Sequence, residues 1–287
     1  TDAKAKETEL KSFADAARHF RPMMITFTGG EPLLRPDLED IIAEVARAAP
    51  ITWMSVITHG AMLSVARAQS LWDAGLAQFA VSLDFLDERH DAARGIPGLS
   101  AKILRTVPEL VARGMTVRFN TVIKRENLDD ILPLVRRAAA IGAGVNLSVY
   151  TDFKNGNRAH LLDQPHLARV DALVAELLAF KRRHRGVISN SDWYIANIPA
   201  YLRGALREPC RSGETTIHID PVGMVRRCPD FPSEGHWSEY RGFAPIACNS
   251  CYYACRGEAQ APLTISRFRD LGGSPRPIPG TAASSPA

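Results

Sequence analysis

The side chains best suited to chemistry are five cysteines, Cys210, Cys228, Cys248, Cys251 and Cys255, and all of them follow residue 209. Their number is odd, the last three form a C-x-x-C-x-x-x-C run, and no secretory signal is in view. That combination argues against a disulfide framework and for thiolates converging on a metal. Five core thiols scattered by chance would rarely fall at two- and three-residue gaps beside a glycine and a run of aromatics.

A second set of candidates lies earlier. The apolar run Met23 to Thr28 leads directly into Gly29-Gly30-Glu31-Pro32. Two glycines let the backbone approach a bound molecule, Glu31 offers a carboxylate to an ammonium, and Pro32 stiffens the exit. Polar groups recur after later apolar runs: Thr58-His59-Gly60, then Ser82-Leu83-Asp84, then His90-Asp91 with Arg94-Gly95, and finally Asn120. Each, taken singly, also reads as a helix or turn cap.

The elements that must position these groups are legible from periodicity. Strands are expected at 23–28, 52–57, 77–83, 115–123 and 145–150. Helices are expected over 7–20, after Pro36, over 62–74, near 100–113, over 128–141 and near 166–184. Strands rich in Val, Ile, Leu and Phe alternating with helices indicate a parallel sheet covered by helices. In such folds the loops after the strands' carboxyl ends carry ligands. The pattern opens on a helix, as a βα unit does when its first strand is missing. Past Tyr150 it changes to a polar stretch, a long helix and a tryptophan-containing connection at 187–198. The segments ETTIHID and MVRRC then flank the turn Asp220-Pro221-Val222-Gly223. The expected organisation is a barrel-like domain over 1–198, a small cysteine-rich hairpin module over 199–271, and a disordered, proline-rich tail over 272–287.

Composition narrows the function classes. With 287 residues, 46% hydrophobic and 23% charged, the chain is long enough to bury a large α/β core. A net charge of +4, with 35 Lys and Arg against 31 Asp and Glu interspersed throughout, is too mild for a nucleic-acid binder. The densest basic run, Lys181 to Arg185, ends a helical stretch where cations suit the carbonyl end of the dipole. No apolar run is long enough to span a membrane, and the charged N-terminal segment is unlike a signal peptide, so the cytoplasm is the expected compartment.

In the order of its motifs the sequence resembles the radical S-adenosylmethionine (radical SAM) enzymes, in which GGEP after the second strand holds the methionine end of the cofactor. Thr58-His59-Gly60 stands where the family usually has Thr-Asn-Gly. The resemblance implies that Gly29, Gly30, Glu31 and Pro32 bind S-adenosylmethionine, that Ser82 and Asp84 lie near its ribose, that Arg94 meets its carboxylate, and that Asn120 joins them. The fold implied is a partial (β/α)6 TIM-type barrel lacking its first strand, with an appended module. Cys210, followed by 12 residues, Gly223, four residues and Cys228, is similar to the family's SPASM and twitch auxiliary-cluster signatures, with Cys248 and Cys251 as the second pair. The implied ligands of one auxiliary 4Fe-4S cluster are Cys210, Cys228, Cys248 and Cys251, with Cys255 as the alternative.

The family's defining C-x-x-x-C-x-x-C is absent, since no cysteine precedes Cys210. Without it there is no radical SAM cluster to cleave the cofactor to a 5'-deoxyadenosyl radical and abstract hydrogen. The chain is therefore either a fragment whose cluster loop lies upstream, which is our expectation, or a degenerate member. The activity implied is that of an oxidoreductase or maturase acting on a peptide, protein or small molecule, with a reductant such as flavodoxin or ferredoxin. No residue is assigned a catalytic step. Two other readings stand beside it: a non-catalytic barrel with a structural zinc or iron-sulfur site, and a barrel lyase or aldolase, for which Lys124, in a polar loop-like run, is the nearest candidate lysine.

Overall fold

The computed structural model describes residues 2–206, 208–244, 246, 248–262 and 264, with side chains from Lys11 onward. The expected tail over 272–287 lies outside the described residues. Five strands, β1 (Met24–Phe27), β2 (Trp53–Thr58), β3 (Gln78–Ser82), β4 (Val117–Ile123) and β5 (Gly144–Val149), form one sheet in the order β1-β2-β3-β4-β5. β1 pairs in parallel with β2, and β4 with β5. Helices α1 (Asp2–Phe20), α2 (Leu38–Ala48), α3 (Val65–Asp73), α4 (Glu88–Arg94), α5 (Leu99–Ala112), α6 (Ile131–Ala140), α7 (Leu167–Arg183), α8 (Asp192–Leu202) and α9 (Ala254–Gln260) complete the architecture with a short hairpin of β6 (His218–Ile219) and β7 (Val225–Arg226). This is the α/β fold of a partial TIM-type barrel.

The helices form where the apolar period is sharpest. α2 buries Leu38, Ile41, Ile42 and Val45, and α5 buries Leu99, Ile103, Val107 and Leu110, each set spaced to make one stripe. Ser64 caps α3 by accepting from the Arg67 N–H at 3.2 Å. α8 occupies what reads in the sequence as a connection, capped by Ser191, whose hydroxyl accepts from the Tyr194 N–H at 3.1 Å.

The chain divides into two compact units. One comprises Thr1–Ala80 with Arg211–Pro245, the other Val81–Cys210 with Ile246–Ala287. Aromatic contacts far apart in sequence explain the partition. In the first unit Phe20 packs edge-on against Tyr240 at 5.6 Å, and the Trp237 indole N–H donates to Ser12 at 3.3 Å. In the second, Tyr252 stacks on Tyr194 at 4.7 Å and on Tyr201 at 5.0 Å, and so draws α9 against α8.

Within the second unit, β5 is not left as an open edge. The Val145 N–H donates to the Val187 carbonyl at 2.7 Å, the Ser189 N–H to the Val145 carbonyl at 2.9 Å, and the buried Asn190 amide bonds both the N–H and the carbonyl of Leu147, at 2.6 and 2.9 Å. The Asn190 side chain thus acts as one more residue of strand, which removes a pairing liability. Arg118 of β4 is likewise buried and donates to the Gly186 carbonyl at 3.2 Å. It lies opposite Gly144 in β5, where any Cβ would stand 2.5 Å from its guanidinium.

Candidate functional site

In the first unit the exit of β1 is Gly29-Gly30-Glu31-Pro32. Gly29 adopts φ +118°, a region open to glycine, and a Cβ placed on Gly29 or Gly30 meets no atom within 4 Å. The space above the two glycines is therefore unfilled by the unit's own side chains. Glu31 does not face that space as a free carboxylate. Its Oε1 accepts from the Leu33 N–H at 3.1 Å and the Thr58 hydroxyl at 2.7 Å, and its Oε2 accepts from the His59 N–H at 2.8 Å. His59 Nε2 lies 3.2 Å from the same oxygen, and Nδ1 accepts from the Ala61 N–H at 3.0 Å, so the ring's proton sits on Nε2 and points at Glu31. The carboxylate braces the loop after β1 against the loop after β2, with Pro32 opening the short turn that follows.

In the second unit the exits of β3 and β4 converge on Asp84. Its Oδ1 accepts from the Val122 N–H at 2.9 Å, and its Oδ2 lies 3.5 Å from both Lys124 Nζ and an Arg94 guanidinium nitrogen. The backbone is clasped as well: the Asp84 N–H donates to His90 Nδ1 at 3.2 Å, and its carbonyl accepts from buried Asn127 at 3.1 Å. Asp91, next in the motif, accepts from the N–H groups of Gly98 and Ser100, both at 2.7 Å, and so fixes the start of α5. Bonding to Ser100 holds the Asp91 carboxyl below its usual range. The Asp84 carboxylate thus faces two cations, Arg94 and Lys124, with the Asp91 carboxylate on the same helix as Arg94. Beside it Ser82 ends β3 half-buried, and Asn120 accepts through its Oδ1 from the Asn146 amide at 3.1 Å.

The late thiols fall in both units. Cys228 belongs to the first, just past β7 and next to the buried Arg227, which forks onto Glu234 at 2.7 and 2.9 Å. Cys210, Cys248, Cys251 and Cys255 belong to the second, where the Cys210 N–H donates to the Cys248 carbonyl at 3.1 Å. Burial pushes the Cys251 thiol up to about 12, and the neighbouring Cys255 and Cys210 thiols act in the same direction. Among the described residues, no three His, Cys, Asp or Glu side chains gather around a single-ion position.

Comparison with known proteins supports the family resemblance. Residues 4–138 match the model of the radical SAM superfamily. The chain carries a radical SAM domain. That domain holds the whole of the two rims described above, from Gly29 to Asn120. The chain is 28% identical to the PqqA peptide cyclase of Ruegeria pomeroyi over 90% of this chain and 76% of that one. It is 26% identical to the same-named enzyme of Granulibacter bethesdensis over 86% and 71%. An AdoMet-dependent heme synthase of Nitratidesulfovibrio vulgaris is 31% identical over 54% of this chain and 42% of its own. Among solved structures, Streptococcus suis SuiB bound to its precursor peptide SuiA superposes with a TM-score of 0.63 at 13% identity, over 80% of this chain and 56% of SuiB. The likeness to SuiB is one of fold, and the chain spans little more than half of SuiB's length.

Two residues of these rims were given no cofactor role by sequence reasoning, Lys124 being named there only as a candidate lysine for a lyase. Lys124 sits in a Lys-Arg-Glu-Asn run that looks like an exposed loop, yet only 13% of its side chain is accessible. Asn127, from the same run, is fully buried and ties Asp84 to Val122. A buried polar residue in a polar run leaves no sequence signal of its own.

Proposed function

We propose that this chain is the S-adenosylmethionine-binding and auxiliary-cluster part of a radical SAM enzyme that modifies a peptide. The observation that carries the reading is the ordered series from Gly29 to Asn120 inside a radical SAM domain, in a chain aligned over most of its length with peptide cyclases. The unfilled space over Gly29 and Gly30 in the first unit and the cations beside Asp84 in the second are each of a kind that S-adenosylmethionine can use, a molecule with an ammonium, a carboxylate, a sulfonium and a ribose. When bound to a reduced 4Fe-4S cluster, that cofactor supplies one-electron hydrogen-abstraction chemistry.

The chain's own residues bind and orient. The backbone of Gly29 and Gly30 receives the amino-acid end, and Glu31 keeps that backbone in place through Thr58 and His59. In the second unit Arg94 and Lys124, held together by Asp84, are the cations available to a carboxylate, and Ser82 and Asn120 offer a hydroxyl and an amide. Late thiols suit an auxiliary 4Fe-4S cluster by donor chemistry, since four or five sulfurs with no carboxylate or histidine among them select iron-sulfur or other soft metals. Such a centre serves to anchor the substrate or pass electrons.

The test is anaerobic reconstitution of the chain in its natural full-length context, followed by reduction in the presence of S-adenosylmethionine and a candidate precursor peptide. The expected result is formation of 5'-deoxyadenosine together with a mass change in the peptide. Cluster-loaded, reduced protein that neither binds nor cleaves S-adenosylmethionine overturns the reading.

A further inference from the structure

The α9 helix carries a guanidinium that the proposed function leaves unused. Arg256 is only 2% exposed, one of the largest fully buried side chains in the protein. Every hydrogen bond it makes among the described residues goes to a neutral oxygen: the Cys251 carbonyl, the Glu208 carbonyl at 3.3 Å, the Asn249 side-chain oxygen, and Gln260 Oε1 at 3.3 Å. Its guanidinium carbon lies over the rings of Tyr201 and Tyr252, at 5.9 and 6.0 Å from their centres. Gln260, one turn on, donates to the Glu208 and Pro209 carbonyls at 2.9 and 2.8 Å. One helix thus ties the segment that ends in Cys210 to the segment that runs from Cys248 to Cys251.

A buried cation is costly unless a negative charge lies near it. Carbonyls and aromatic faces supply partial charge only. The carboxylates of Glu208 and Glu258 act with Arg256 on Tyr252, and the groups near it in the chain that turn anionic only on binding a metal are thiols: Cys251, whose carbonyl it holds, Cys255, its chain neighbour, and Cys210, two residues beyond Glu208. As free thiols these are neutral. As ligands of an iron-sulfur centre they carry net negative charge, which grows by one on reduction.

We propose that Arg256 is a positioning residue for the auxiliary centre: its guanidinium both ties together the two thiol-bearing segments and supplies the counter-charge that makes one-electron reduction of the centre easier. The inference rests on the reading of the late thiols as an iron-sulfur site, and the test separates the two. All five cysteines lie between residues 210 and 255, so iron, sulfide and visible absorption gained by this chain on anaerobic reconstitution report that region alone.

The experiment is a redox titration of the reconstituted chain, followed by visible absorption and by the paramagnetic signal of the reduced state, in wild type, Arg256→Lys, Arg256→Gln and Gln260→Glu. Arg256→Gln removes the charge, and Gln260→Glu neutralises it by placing a carboxylate on the guanidinium. Both should disfavour reduction about tenfold, a shift of about 59 mV to lower potential for a one-electron couple. Arg256→Lys, which keeps the charge and loses the fork, should shift less than half as far while taking up less iron and sulfide. Unchanged potential in whichever of Arg256→Gln and Gln260→Glu assembles a centre overturns the inference. So does a folded chain, by circular dichroism, that loses the centre in both, because Arg256 is then a purely structural clasp. Wild-type protein that takes up no iron and sulfide instead overturns the auxiliary-cluster reading on which the inference rests.

Discussion

The Asp84 N–H donates to Nδ1 of His90 at 3.2 Å, so a fully buried imidazole must stay neutral to hold the turn that aims the Asp84 carboxylate. Its other nitrogen, Nε2, is buried without a hydrogen-bond partner among the described residues. Burial, followed by the field of Arg94, pushes the His90 pKa down to about 4 from the ordinary 6.5. The unfolded chain therefore takes up a proton between pH 6.5 and 4 that the folded one refuses, and stability is full above pH 6.5 and falls toward pH 4. The ceiling on that loss is about 3 kcal/mol. Thermal melts across this window should show a declining midpoint, and His90→Gln, which cannot titrate, should show a flatter decline whatever its starting stability. Parallel profiles for the two proteins contradict the assignment.

Glu31 gathers donors from Leu33, Thr58 and His59 on a side chain only 4% accessible. Glu31→Gln keeps the shape and replaces one accepting oxygen with an NH2 that faces donors. The cost expected from leaving buried donors unmet is about 2 kcal/mol, read from the urea midpoint. Thr58→Val, which removes a single donor, should cost less.

Gly30 separates a ligand role from a folding role. A Cβ there meets nothing within 4 Å and the residue does not require a positive φ. Gly30→Ala should thus leave stability within about 0.5 kcal/mol of wild type. Equilibrium dialysis of S-adenosylmethionine should nonetheless show weaker binding, because the new methyl group occupies the space where the cofactor's amino-acid end would lie. Unaltered binding in a stable Gly30→Ala protein argues against that placement.

The alternation of the five strands with α2, α3, α5, α6 and α7 was readable because each strand is a short apolar run and each of these helices shows a one-sided stripe. α8 was not, because Trp193, Tyr194, Ile195, Ile198 and Tyr201 make it apolar nearly all round and Pro199 interrupts it. The partition into two units was equally hidden, since it depends on rings more than 200 residues apart, such as Phe20 and Tyr240. At the site, Gly29 to Pro32 and Asp84 could be found by their place after strands. That Glu31 turns inward could not, because its partners Thr58 and His59 come from the end of the next strand. Arg256 reads in sequence as an ordinary surface arginine, and only its enclosure by Tyr201, Tyr252 and three neutral oxygens of the thiol-bearing segments shows otherwise.

The thiols should differ in reactivity before any metal enters. Cys251, with its pKa pushed up to about 12 by burial, is protonated at neutral pH, whereas Cys255 is exposed. Iodoacetamide labelling of the folded, metal-free chain, followed by peptide mass spectrometry, should modify Cys251 more than about tenfold more slowly than Cys255. In urea the two rates should converge. Equal rates in the folded protein would mean that the segment around Cys251 is open.

Gly257 sets how closely α9 can approach α8. A Cβ at this position would stand 2.0 Å from Cδ2 and 2.6 Å from Cε2 of Tyr194. That ring has no room to yield, because its hydroxyl donates to the Tyr252 carbonyl, the Tyr252 hydroxyl donates back to the Tyr194 carbonyl, both at 3.0 Å, and the two rings stack at 3°. Gly257→Ala should cost about 3 kcal/mol, at the upper end for overpacking, and should change the near-ultraviolet circular dichroism of the tyrosines. Because α9 also carries Arg256 and Gln260, the same substitution should reduce iron and sulfide uptake in proportion to the loss of the tyrosine signal. An alanine variant with native melting and native dichroism would show that the two helices are free to separate.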